Sequence, residues 1–371
     1  MRRLLAPLLV AALLLPAVAQ AREVDTSAAA CIVVDERSGR VLLSHQADKP
    51  LPMASTTKIM TALLALEHGD LTAPVTCSDA AFGVPGTSIY LDRGETLTLE
   101  HMLYGLMLAS GNDAAVAIAE HVSGSTEAFC RLMTQRAAEL GCRSTVFLTP
   151  HGLPCEGHHT TAHDLALIAR EAMKHPFFRT LVSTTRATIP WEGRTYDRVL
   201  NNKNRLLTTY PGATGIKTGY TRAAGRCLVF GAERNGMRII GVVLNCSDWF
   251  NEAARLMNVA FAEWESATLL RQGEGLRTLP VDASGERTVR AVLACDLQGL
   301  VPTGALPGIE IDLPQRLEAP IAAGQKLGEV RMVHQGETYA RADLIADTSV
   351  PRDDFAARWQ QFVAGWPLLA Q

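Results

Sequence analysis

The stretch Pro52-Met53-Ala54-Ser55-Thr56-Thr57-Lys58 sets a hydroxyl and an amine three residues apart at the start of a predicted helix. Ile59, Met60, Leu63 and Leu66 follow at helical spacing, so positions i and i+3 share a face and Ser55 meets Lys58 at its N-terminal end. Lys58 can then take the Ser55 proton. The positive end of the helix and an apolar surround both disfavour an ammonium, which leaves the lysine neutral often enough to act as a base. Alone, S-x-x-K is a weak signal, because serine is a common helix cap and lysine a common solvated helix residue.

Two further motifs follow in order. Ser110-Gly111-Asn112 lies between an apolar-periodic segment with Met102, Leu103, Leu106 and Met107 and another with Val116, Ile118 and Val122, so a loop between helices turns a hydroxyl and an amide into a cleft. Lys217-Thr218-Gly219 precedes the β-type runs Cys227 to Gly231 and Arg238 to Asn245, which Arg234-Asn235-Gly236 joins as a hairpin. Period-two alternation puts Lys217 and Gly219 on one side of a strand, the amine offering charge to a carboxylate and the glycine admitting a substrate backbone.

With these motifs in this order, the chain resembles the penicillin-binding proteins, and most closely their low-molecular-mass serine-type D-alanyl-D-alanine carboxypeptidases. The blocks Leu103 to Ala115, Pro150-His151-Gly152-Leu153, Thr161 to Ala166, Asn202 to Leu207 and Gly215 to Thr221 are similar to that family too, and the likeness covers nearly the whole chain beyond residue 21. The departure is Tyr220, where some members carry histidine; the expected effect is on substrate preference or pH profile rather than reaction type. The resemblance implies an α/β (α+β) catalytic domain over residues 24–265, of the serine β-lactamase and transpeptidase type. A five-stranded antiparallel sheet and a helical cluster carrying the S-x-N loop are expected there. After Gln272-Gly273-Glu274-Gly275, read as a linker, residues 276–350 give short β runs such as Thr288 to Leu293, Ile309 to Leu313 and Lys326 to Val333, a small all-β sandwich.

The implied reaction is acyl transfer from the terminal D-alanyl-D-alanine of peptidoglycan stem peptides to water. Ser55 attacks the penultimate carbonyl and Lys58 takes its proton, while backbone N–H groups of Ser55 and Tyr220 hold the oxyanion. Ser110 relays a proton to the departing D-alanine, Asn112 binds the substrate amide, and Lys217, Thr218 and Gly219 receive the terminal residue and its carboxylate. Penicillins are then covalent ligands. No cofactor or metal is expected: His151, Cys155, His158, His159 and His163 match no standard zinc spacing, and the resemblance assigns them loop and capping roles. Three other readings stay open. A β-lactamase of class A would need a glutamate followed four residues on by asparagine, absent from Cys155 to Thr160; a D,D-endopeptidase shares the motifs; a non-catalytic wall-binding protein would not need all three intact.

Arg2 and Arg3, the apolar run Leu4 to Val18 and Ala19-Gln20-Ala21 read as a signal peptide cleaved after Ala21, which places the enzyme outside the cytoplasm, in a periplasm or on the outer face of the cytoplasmic membrane. The run contains Pro7 and Pro16 and is short of the ~20 residues of a span. A formal charge of −3 supplies no basic face for a nucleic acid. From Asp354, the residues Phe355, Trp359, Phe362, Val363 and Trp366 form the stripe of an amphipathic helix over residues 354–371, suited to peripheral membrane contact or to packing on the β module. Export would allow disulfides among the eight cysteines; Cys142 with Cys155 and Cys31 with Cys246 are the candidate pairs, and connectivity stays open.

Overall fold

The structure, a computed structural model, describes residues 22–284, 287–353 and Trp359. The segment read as a signal peptide and the remainder of the C-terminal stripe lie outside the described residues. By its internal contacts the chain forms two compact units, Ala21–Ser266 and the segment from Ala267 onward.

In the first unit, Asn235 and Gly236 take φ values of 50° and 76°. They join Gly225–Arg234 to Met237–Cys246 as a two-residue hairpin with Met237 opposite Arg234, a turn whose twist matches that of its strands. Ala213–Thr221, which carries the K-T-G motif, pairs antiparallel with Gly225–Arg234 and is the outer strand on that side. On the other side Met237–Cys246 pairs with Ala28–Asp35, which pairs in turn with Val41–His45. The expected five antiparallel strands are present, and a sixth extends them: Arg22–Glu23, two residues long, runs parallel to Val41–His45 at the far edge.

Register corrects one cysteine expectation. Cys31 stands opposite Val243 and Cys246 opposite Ala28, so the two thiols do not face each other across the strand pair. All eight cysteines are free, Cys142 and Cys155 included. Burial pushes the Cys31 and Cys142 thiols up to about 12, which makes them inert packing groups.

Cys227 through Ala232 are buried at consecutive positions, as in a strand covered on both faces. The helices Ala162–Ala172 and Trp249–Glu263 pack on this sheet. The helix Lys58–His68 is buried without a break from Lys58 to Ala65, and Asn112–Ser123 and Ala162–Ala172 pack around it. Thr161 caps the latter helix by accepting the Asp164 N–H at 3.0 Å. The Asp164 carboxylate accepts from the N–H groups of Arg143 and Ser144 and from the Thr145 hydroxyl. A helix start is thereby tied to the loop that leads into Pro150-His151-Gly152. A buried ion pair does similar service: Glu95 and Arg198, with side chains 2% and 4% exposed, meet at 2.9 Å. Arg198 also donates to the Tyr90 carbonyl, fixing the loop that continues from Gly86 and Thr87.

The second unit is β-rich. Gly308–Asp312, Lys326–His334, Glu337–Ala346, Thr288–Leu293, Gly275–Asp282 and Leu317–Glu318 form a six-stranded sheet in that order. Trp264–Leu270 and Leu297–Pro302 form a two-stranded sheet, and Leu297–Pro302 packs on Glu337–Ala346. Leu279, Val289, Leu297, Val330, Met332 and Leu344 lie in its core. The segment read as a linker is instead a tight turn: Gly273 has φ 78° and Glu274 N–H donates to the Arg271 carbonyl at 3.1 Å. Flexible composition and turn composition are the same residues, and only the strand on either side separates the two readings.

Candidate active site

Ser55 sits in a 3-10 turn, Ala54–Thr57, that continues directly into the helix Lys58–His68. Its predecessor Ala54 has φ 48°, a left-handed value that strains a residue with a Cβ by about 1 to 3 kcal/mol. Buried side chains hold it there. Thr57 Oγ1 donates to the Ala54 carbonyl at 2.8 Å and Thr56 Oγ1 to the Met53 carbonyl at 2.6 Å. Behind them His158 Nδ1 accepts the Leu148 N–H at 3.0 Å, so its proton is on Nε2, which donates to Thr57 Oγ1 at 2.9 Å.

The Pro150-His151-Gly152 loop closes over this turn. Thr61 Oγ1 donates to the Pro150 carbonyl at 2.6 Å. Gly152, at φ 87°, lies so close that a Cβ there would stand 1.9 Å from the Ala54 carbonyl oxygen. Its neighbour His151 turns its ring onto its own loop, accepting the Leu153 N–H at 3.1 Å. His159 and His163 bond to the Gly157 carbonyl and to Asp48. Those partners tie the histidines to loop backbone and to Asp48, while the helix that follows is capped by Thr161.

Lys58 is fully buried, with Nζ 3.0 Å from Ser55 Oγ, 2.7 Å from Asn112 Oδ1 and 2.8 Å from the His151 carbonyl oxygen. The last two atoms can only accept. A neutral amine spends its two N–H bonds on them, and its lone pair is left facing the Ser55 hydroxyl. Burial holds Lys58 well below the ordinary lysine value, helped by the positive charges of Lys217 and Lys203 and opposed by Asp113. Geometry and electrostatics are those that a base requires.

The S-x-N segment is shaped by a π-helical turn, Gly105–Ala109, which ends on Ser110 at φ 66°. The Thr87 hydroxyl donates to the Ser110 carbonyl. Asn112 opens the next helix; its Nδ2 donates to the Pro85 carbonyl at 2.6 Å and keeps a second N–H. Asp113 anchors the whole corner, accepting from the Ser88 hydroxyl and from the N–H groups of Ile89 and Leu91.

Gly219 is where the K-T-G strand approaches the serine turn. A Cβ at this position would stand 3.0 Å from the Ser55 nitrogen and 3.1 Å from that of Thr56. The resulting cleft, about 380 Å³, is lined by Ser55, Ser110, Asn112, Thr218, Gly219 and Tyr220. Lys217 is held back from that surface: it is 1% exposed, and its Nζ donates to the Thr218 carbonyl at 3.1 Å. Burial, and then the charge of Lys203, brings Lys217 down to about 7. Residues that sequence reasoning did not assign complete the walls: Gly86, Thr87, Leu153, Lys203 and Trp249. Lys203 lies between two asparagines and two residues before Arg205, a pattern that no spacing singles out.

The three motifs thus converge on one cleft in which a buried amine faces the serine hydroxyl. The profile of D-alanyl-D-alanine carboxypeptidases matches residues 17–248, and that of the C-terminal domain of penicillin-binding protein 5 matches residues 264–352. The chain belongs to the D-alanyl-D-alanine carboxypeptidase family. Within it, the chain is 31% identical to the D-alanyl-D-alanine carboxypeptidase DacF of Bacillus subtilis, with 99% of each covered. It is 32% identical to DacC of Escherichia coli, over 91% of this chain and 88% of that one. Among solved structures, penicillin binding protein 5 from Haemophilus influenzae is 28% identical with a TM-score of 0.75, over 88% of this chain and 98% of the other. The carboxypeptidase family and the low-molecular-mass penicillin-binding class expected from the motifs are both found, with a mixed α/β catalytic unit followed by a β-rich one.

Proposed function

We propose that this enzyme removes the terminal D-alanine from peptidoglycan stem pentapeptides through a Ser55 acyl-enzyme and that penicillins acylate the same serine. The observation that carries the reading is the Lys58 amine, buried and 3.0 Å from Ser55 Oγ with its other partners both acceptors. Ser55 Oγ attacks the penultimate carbonyl as its proton passes to Lys58 Nζ. The developing oxyanion is held by the N–H groups of Ser55, at a helix start where N–H groups lack intrahelical acceptors, and of Tyr220; each such donor is worth about 3 kcal/mol. Ser110 passes the proton to the leaving D-alanine, the free N–H of Asn112 meets the substrate amide, and water then resolves the ester.

Carboxylate recognition follows from the burial of Lys217. Thr218 and Lys203 reach the cleft and touch the terminal carboxylate, while Lys217 supplies positive charge from beneath the strand. Only the charged form does this. Lys217 loses its proton as pH rises through about 7 in the free enzyme, so kcat/KM for donors with a terminal carboxylate should fall above that pH. Ester donors lacking the carboxylate should show a much smaller fall, and Lys217→Ala should penalise the first kind more, by about ten-fold or more. Parallel pH profiles for the two donor types would remove this role.

Glu156 is exposed and is absent from the cleft walls, which favours slow release of penicillin over a β-lactamase. Incubation with a stem pentapeptide and with a cross-linked dimer, followed by mass spectrometry, tests the reading. Loss of one alanine from the pentapeptide is expected; cleavage of the dimer alone would make the enzyme an endopeptidase. We place the reaction outside the cytoplasm and read the β-rich unit as a spacer that sets the height of the cleft above a membrane. The stripe from Asp354 is its contact with that membrane. A chain ending near Pro351 should keep activity on soluble peptide and leave the membrane fraction.

The loop behind Ser55 gives a pH-dependent stability. Burial, and then His159, lowers His158 to about 4 from 6.5, so the unfolded chain takes up that proton first as pH falls. The contribution, roughly 3 kcal/mol, is complete above about 6.5 and is lost progressively down to about 4. Thermal melts should show Tm falling across that window and a shallower fall in His158→Gln.

A further inference from the structure

The start of the helix Trp249–Glu263 reaches the catalytic cleft through Trp249. Arg226 stands opposite Tyr220 in the strand register and donates to the Ser247 carbonyl at 2.7 Å, which brings the approach to this helix alongside the K-T-G strand. On the other side the Arg205 guanidinium lies 4.5 Å from the centre of the Phe250 ring. Trp249 therefore stands between Tyr220 and residues 203–205, and both Tyr220 and Lys203 line the cleft with it. Its indole is half-buried and is backed by the buried Phe250, with ring centres 4.7 Å apart and planes inclined at 52°. A stack of Arg205, Phe250 and Trp249 thus holds the indole at the cleft wall.

In the reaction proposed above the terminal carboxylate lies at Thr218 and Lys203, so the residue that leaves is the part of the substrate nearest Trp249. Two kinds of wall meet there. Thr87, Ser110 and Asn112 bring hydroxyls and an amide, whereas Trp249 and the exposed Tyr220 bring aromatic rings. The polar walls suit the amide and carboxylate that every such substrate carries, and the methyl group of a terminal alanine covers little of an indole. A longer apolar side chain matches the aromatic pair better, because its burial on the rings removes water from both.

We infer that Trp249, with the Tyr220 ring beside it, determines specificity for the residue that leaves and selects stem peptides ending in D-alanyl-D-X, where X carries an apolar side chain larger than methyl. The inference rests on the carboxypeptidase reading. Selection acts in acylation alone, since every such donor leaves the same acyl group on Ser55 and water releases that group at one rate.

The test uses Nα,Nε-diacetyl-lysyl-D-alanyl-D-X, with X as alanine, norleucine or phenylalanine. The phenylalanine donor should exceed the alanine donor about five- to ten-fold in kcat/KM, the upper range of an aromatic contact, with norleucine between them. Trp249→Ala should bring that ratio close to one, and Trp249→Phe should keep most of it. If Trp249→Ala slows all three donors by the same factor, the indole serves the fold rather than selection and the inference is overturned. A parent enzyme with no preference, or with a preference for alanine, overturns it too. Each of those results leaves the carboxypeptidase standing; failure to hydrolyse any of the three donors overturns the activity and the specificity role with it.

Discussion

Ser55→Ala should abolish covalent labelling by a fluorescent penicillin and lower peptide turnover by on the order of 10⁶, the scale on which losing a nucleophile from a nucleophile–base unit costs an enzyme. The change removes one oxygen from a half-buried site whose described side-chain partner is Lys58. The strain at Ala54 and the bonds from Thr56 and Thr57 that hold it do not involve that oxygen, so the variant should melt close to the parent. Labelling that persists at another serine would displace Ser55 from its role. Because nucleophile and base act together, adding a Lys58 change to Ser55→Ala should cost almost nothing further.

Lys58→Ala should reduce acylation by every donor, penicillins, peptides and carboxylate-free esters alike, by about 10² to 10⁴, the usual worth of a general base. That uniformity separates it from Lys217, whose loss discriminates between donors. The substitution also leaves Asn112 Oδ1 and the His151 carbonyl without their buried donor, each at about 1 to 3 kcal/mol. A thermal melt must accompany the kinetics for that reason. Lys58→Met, which keeps the volume, provides the control: equal losses in both variants that track stability rather than acylation would point to packing in place of base chemistry.

Much of this site was legible because its chemistry is local. Ser55 and Lys58 are three residues apart on one turn, Asn235-Gly236 announces its hairpin by φ requirement alone, and K-T-G falls on the strand that alternation assigns to it. What stayed hidden depends on distant partners. The Glu95–Arg198 pair joins positions with no shared periodicity, yet removing one partner from so buried a pair costs about 3 to 5 kcal/mol. Lys217 reads on a strand as a cation facing substrate, whereas burial keeps its amine on the Thr218 carbonyl and it is Lys203 that lines the cleft. The Cys31–Cys246 guess placed the right strands side by side and missed their register, which turn lengths elsewhere in the sheet determine. Asp113 adjoins the S-x-N triplet, but its carboxylate serves the backbone of Ile89 and Leu91, a role no spacing displays.

The central claim is that a stem peptide is carried on Ser55 as an ester before water releases it. Mixing the enzyme with a stem pentapeptide, quenching in acid within the first turnover and mapping the digest by mass spectrometry tests that directly. The account predicts a tetrapeptidyl adduct on the fragment containing Ser55 and Lys58, together with one equivalent of free D-alanine. Stoichiometric D-alanine with no adduct at any quench time, or an adduct on a different residue, would contradict it.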